Sequence, residues 1–127
     1  MHITKNDIPV RIDVPGAIAR QLPDFGVAEG TIGAEYFTMS AGTDLAPLLA
    51  GLHDDACQAP HWGYVINGDL VVTYTDGTDE TCTTGDVFYW PPGHSVRVNQ
   101  DADLILFSPQ DSHGAVIDHI ADKLAAT

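Results

Sequence analysis

A chain of 127 residues with 44% hydrophobic content holds enough apolar mass for one core and too little for two independent ones. Its 18 acidic side chains against 5 basic ones give a formal charge of −13, so a phosphate backbone or an anionic lipid surface would repel it. Nucleic-acid binding and docking on anionic membranes are excluded on that ground.

The N-terminus, MHITKNDIPVRIDVPG, carries no basic region followed by an apolar run, and no stretch approaches the ~18 apolar residues that span a bilayer. A cytoplasmic protein is the expectation, with Cys57 and Cys82 as free thiols in a reducing compartment. Pro9, Pro15, Pro23, Gly16, Gly26 and Gly30 interrupt residues 1–30, which predicts an N-terminal arm of short strands and loops. From Thr31 the texture is β: TIGAEYFTM, then YVINGDLVVTYTDGTDETCTTGDVFYWPP, then SVRVNQDADLILFSP, rich in β-branched and aromatic residues and divided by turn signals. Asp76-Gly77 marks a hairpin because its glycine accepts the positive φ of a tight turn. The stretch 44–51 is assigned as a strand, since Pro47 interrupts a helical reading. Residues 31–109 should form a barrel or two-sheet sandwich of at least six strands. After Asp111 or Ser112, either of which can cap a helix, Val116, Ile117, Ile120 and Leu124 recur at helical spacing. The tail 110–127 therefore carries one helix, over 112–124, packed outside the barrel.

Chemistry concentrates in HDDACQAPHWGYVINGDL (residues 53–70) and GDVFYWPPGHSVRV (residues 85–98). His53, Asp55 and Cys57 alternate, so an extended strand would put them on one face, and His61 follows the bend at Pro60. His94 arrives from another strand. Cys57, His61 and His94, with Asp55 as fourth ligand or as acceptor for a histidine N–H, form a candidate metal set; His53 is a weaker candidate. Thiolate with imidazole favours zinc over nickel or copper. Without Cys57, the trio Asp55, His61 and His94 would suit iron or manganese. Each residue also has an ordinary role open to it: cysteine is commonly buried as packing, histidine caps turns, and an aspartate on an acidic surface needs no ligand. Trp62, Tyr64, Tyr89 and Trp90 are core candidates, with Trp62 and Tyr89 chosen as pocket-lining, substrate-binding residues. His2, His113 and His119 fall in the tail and outer helix and receive no role.

These two blocks resemble the cupin superfamily over residues 31–109. Tyr64-Val65-Ile66-Asn67-Gly68 is similar to the family's first-motif strand and its glycine, and this register puts His61 at the family's glutamate and Cys57 and Asp55 at its two histidines. Gly85, Pro91 and Gly93 fall on the second motif's glycine, proline and glycine. Val96 takes the place of its ligand histidine, with His94 two residues earlier on the same strand parity. The resemblance implies an all-β fold, an antiparallel β-barrel or jelly-roll-like double-stranded β-helix with a C-terminal helix, a divalent metal in the barrel, and a homodimer in which the N-terminal segment covers or exchanges an edge. It implies dioxygenases, isomerases, lyases and decarboxylases without selecting one. A thiolate ligand is readily oxidised, so zinc-supported, non-redox binding or transformation of a small oxygen-bearing molecule is the first reading. A non-catalytic ligand-binding or sensing module, a metal-dependent dioxygenase, and an acidic surface that meets a basic partner stay open beside it.

Overall fold

The computed structural model describes residues 5–24, 27–28 and 30–126. His2 and the turn residue Gly26 lie outside the described residues. Among the described residues eight strands run in the order β1 (Val10–Val14), β2 (Ala17–Leu22), β3 (Val27–Ala28), β4 (Gly30–Met39), β5 (His61–Tyr74), β6 (Asp79–Thr83), β7 (Val87–Trp90) and β8 (His94–Pro109). A short helix α1 (Ala46–Leu49) interrupts them, and α2 (Gln110–Ala125) ends the chain. Every named strand pairing is antiparallel, along the path β1-β2-β4-β8-β5-β6, with β3 joined to β4 and β7 to β5. The path does not close into a cylinder; the architecture is jelly-roll-like, mostly antiparallel sheet with a C-terminal helix.

Two long strands shape the interior. In β8 the even-numbered residues His94, Val96, Val98, Ala102, Leu104, Leu106 and Ser108 are buried, the period-2 pattern of a strand with one covered face. In β5 the inward set changes parity, from His61 and Val65 to Leu70 and Val72. A bulge makes the change possible: the pairing of β5 with β8 shifts register between Val65 and Leu70, and Gly68 lies there at φ 121°. A side chain at 68 would stand 2.6 Å from the Ala102 Cβ. The glycine thus lets one strand present both His61 and the Leu70/Val72 pair inward. The Asp76-Gly77 turn joins β5 to β6 as its sequence signals, with Gly77 at φ 90°.

Three expectations need correction. Residues 44–51 contain α1 and not a strand, because Pro47 falls in the helix's first turn, where a missing N–H costs nothing. Residues 31–109 supply essentially five strands and not six, since β5 and β8, at 14 and 16 residues, each do the work of two shorter ones; the remaining strands come from the first 30 residues, where the β1–β2 hairpin adds to the chain's own sheet through β4. Finally, α2 begins at Gln110 without a side-chain cap, because β8 runs into it through Pro109 with no loop in between.

The apolar interior falls into two clusters. One, inside the sheet, holds Met39, Val65, Leu70, Phe88, Trp90, Val96, Leu104 and Leu106 among others. The second holds Ile12, Leu49, Cys57, Ala59, Val116 and Ile120 under α1 and α2. Between them lies a cavity of about 520 Å³.

Candidate metal centre

Cys57 and His94 are neighbours by backbone pairing: they form an antiparallel bridge, with the Cys57 N–H donating to the His94 carbonyl at 2.8 Å. His61, first residue of β5, pairs with Trp90 of β7 and is buried beside them. One ligand atom from each of Cys57, His61 and His94 lies within 4.8 Å of the others, and all three residues are buried. The Cys57 Sγ stands 3.5 Å from His61 Nε2. The rings of His61 and His94 meet edge-on at 4.9 Å between centroids.

Their hydrogen bonds fix which nitrogens remain available. His94 Nδ1 donates to the Pro91 carbonyl at 2.8 Å, which leaves Nε2 as its acceptor. Ser108 Oγ donates to Glu35 Oε1 at 2.6 Å and accepts from His61 Nδ1 at 2.6 Å, so His61 Nε2 is left with its lone pair beside the Cys57 sulfur. Burial lowers the His61 pKa well below the ordinary imidazole value, helped by His113 and His94. Burial also lowers His94 to about 4, against the raising effect of its bond to Pro91. At neutral pH both rings are uncharged, the state in which imidazole binds metal. Burial pushes the Cys57 thiol up to about 12, so the thiolate forms here only with a cation beside it.

His113, on α2, completes the wall. Its Nδ1 meets Glu35 Oε2, and its ring lies 4.2 Å from that of His61. Glu35 is a buried hub that also accepts from Gln21 Nε2 at 3.1 Å. Glu35, His61 and His113 form a second group with ligand atoms within 4.8 Å. That group differs from the first in one respect: Cys57, His61, His94 and His113 line the cavity, whereas Glu35 stands behind them and has both oxygens engaged.

The residues proposed from sequence separate into those the structure gathers and those it does not. Cys57, His61 and His94 come together. Asp55 does not, because residues 53–55 form a 3-10 turn instead of an extended strand, with Asp54 and Asp55 at φ 56° and 52°. Aspartate tolerates this left-handed region, and the Asp55 carboxylate is exposed and accepts the Gly51 N–H at 2.9 Å. The alternation that was to align His53, Asp55 and Cys57 is lost, and His53 is exposed beside Asp54. Trp62 and Tyr89 do not line the cavity either: they stack on each other at 5.3 Å on the outer face of the sheet, 48% and 49% exposed. Only Trp90 of the expected core aromatics is buried, stacked on Phe88 at 3.9 Å.

Glu35, Ser108 and His113 were not found by sequence reasoning. For His113 a signal existed: with Val116, Ile117 and Ile120 it makes an i, i+3, i+4, i+7 stripe, the buried face of α2. Glu35 and Ser108 gave none, because a single polar residue inside a strand pattern does not show which way it faces.

No family model and no curated protein sequence matches this chain. Among solved structures it is similar to an RmlC-like cupin from Shewanella frigidimarina NCIMB 400, at 22% identity over 84% of this chain and 88% of that one, with a TM-score of 0.59. It is similar also to the polyketide cyclase RemF from Streptomyces resistomycificus, at 17% identity over 87% and 79%, TM-score 0.61. Against oxalate decarboxylase from Bacillus subtilis the identity is 21% and the TM-score 0.61; the match covers 84% of this chain but 28% of that longer one. The chain has the cupin fold. Within it stands a candidate metal site of histidine, cysteine and glutamate side chains.

The buried imidazoles set a pH dependence. An unfolded histidine takes its proton near pH 6.5, while folded His94 resists until about 4 and His61 resists in the same direction. Stability from these rings is therefore complete above pH 6.5 and is lost as pH falls toward 4, by at most roughly 3 kcal/mol for His94. Urea unfolding of metal-free protein should show a midpoint that drops between pH 7 and pH 5, and drops less in His94→Gln. A midpoint flat over that interval would contradict the assignment.

Proposed function

We propose that this protein is a metal-binding cupin in which Cys57, His61 and His94 hold one zinc ion and bind or transform a small oxygen-bearing molecule by non-redox chemistry. The observation that carries the reading is the convergence of three buried donors, with both histidines bonded through Nδ1, on the wall of a cavity. Three protein ligands leave a tetrahedral ion one open position, which favours a working site over a closed structural one. When bound, zinc supplies Lewis acidity toward an oxygen of the ligand or toward water.

The chain's own residues do the rest. Glu35 and Ser108 hold the His61 ring in one orientation and tautomer. His113, with Nδ1 beside a Glu35 carboxylate oxygen, stands in the cavity wall next to His61, where its ring would face a bound ligand. The walls of the cavity are largely apolar, which strengthens any polar contact made at its floor. Mn(II) centres occur in the oxalate decarboxylase of Bacillus subtilis; the thiol in the present donor set argues for zinc instead. A dioxygenase built on Asp55 loses support from that residue's exposure.

Zinc added to metal-free protein should bind at one equivalent by isothermal titration. Cys57→Ser and His94→Ala should abolish tight binding, Ser108→Ala should weaken it by roughly tenfold through the freed His61 ring, and Asp55→Asn should leave it unchanged. Zinc uptake indifferent to Cys57 would overturn the site.

One surface favours a second copy of this chain. Trp62, Tyr64, Val87, Tyr89 and Phe107 are exposed on adjoining strands of the outer face and carry no charge. An apolar patch of this kind on a chain of charge −13 brings no like-charged side chains of the patch itself into contact, and we propose a homodimer there. Sedimentation should show a dimer that Tyr89→Glu dissociates; a monomer at high micromolar concentration removes it.

A further inference from the structure

The cavity narrows the ligand class. It runs from a rim formed by Gly16, Ser40, Gly42 and Thr43 down to His61, His94, His113 and Cys57. Its walls between are Ile12, Val14, Met39, Leu45, Leu48, Leu104 and Ile117, with the Phe37 ring 6.4 Å from that of His113. At about 520 Å³ it falls in the range that encloses a whole organic molecule, several times what a two-carbon acid would fill. Among the described residues no lysine or arginine lines it, and the one carboxylate that does, Asp44, is exposed and accepts the Ala46 N–H at 3.0 Å. Val96, where the cupin pattern carries a ligand histidine, adds another apolar side chain to the wall.

From this lining we infer that the ligand is a largely apolar molecule, an aliphatic chain or ring system, with a single oxygen-bearing head group directed at the histidine cluster. A compact dianion finds no lysine or arginine among the described lining residues, and its second charge would lie against hydrocarbon. A hydrocarbon body gains from every methylene it places between the two apolar clusters, which the cavity holds apart. The head-group part of this inference rests on the zinc reading above; the body rests on the cavity alone.

Two probe series separate these parts. Zinc-loaded protein is titrated with acetohydroxamic, hexanohydroxamic and octanohydroxamic acids, and metal-free protein with 1-butanol, 1-hexanol and 1-octanol. Affinity is expected to rise in both series by up to about fourfold per methylene added. Ile117→Phe should flatten the rise without weakening acetohydroxamate, and Leu48→Lys, at a half-buried position of the wall, serves the same purpose if the first variant fails to fold. Affinities independent of chain length in both series, or oxalate binding tighter than octanohydroxamate, overturn the inference while leaving a hydroxamate-binding metal site intact. A rise among the alcohols in a protein that takes up no zinc supports the apolar ligand class and defeats the metal reading.

Discussion

The structure depends on one buried carboxylate, that of Glu35, having a partner on each of its oxygens. An unpaired buried carboxylate costs several kcal/mol, enough to consume much of a small domain's stability. Glu35 is 2% exposed, so each of its oxygens must be met. Gln21 from β2, Ser108 from β8 and His113 from α2 meet them, and Ser108 passes the connection to His61 on β5. Five elements thus converge on a single group. This convergence fixes the orientation of two imidazoles at the floor of a cavity that apolar packing alone would tend to fill.

Much of the fold was legible because its signals are periodic. The alternation in SVRVNQDADLILFSP is the burial pattern of β8, and the Val116/Ile117/Ile120 spacing is the packed face of α2. Gly68, placed by the family register, proved to be the bulge that reverses the inward parity of β5. Failures came where local chemistry overrides period. Two aspartates in left-handed conformation turned an apparent alternation at residues 53–57 into a turn, and a proline in a helix's first turn looked like a helix breaker.

The candidate site was legible to the extent that its donors lie in motif blocks. Cys57 and His94 are separated in sequence but bridged by backbone hydrogen bonds, and His61 follows the bend between them. His113 was hidden because it belongs to the tail, where a histidine reads as surface until the helix's covered face is known. Trp62 and Tyr89 misled for the converse reason: aromatic residues in a β pattern suggest a core, yet theirs is the outward parity of β5 and β7. Solved cupins define the fold at 17–22% identity; the donor set is this chain's own.

The most direct measurement of the central claim is zinc-edge X-ray absorption on the loaded protein, compared between wild type and Cys57→Ser. Zinc held by Cys57, His61 and His94 should show a first shell with one sulfur near roughly 2.3 Å and two imidazole nitrogens near roughly 2.0–2.1 Å. The sulfur should vanish in the variant. A first shell of oxygen and nitrogen alone, identical in both proteins, would contradict it.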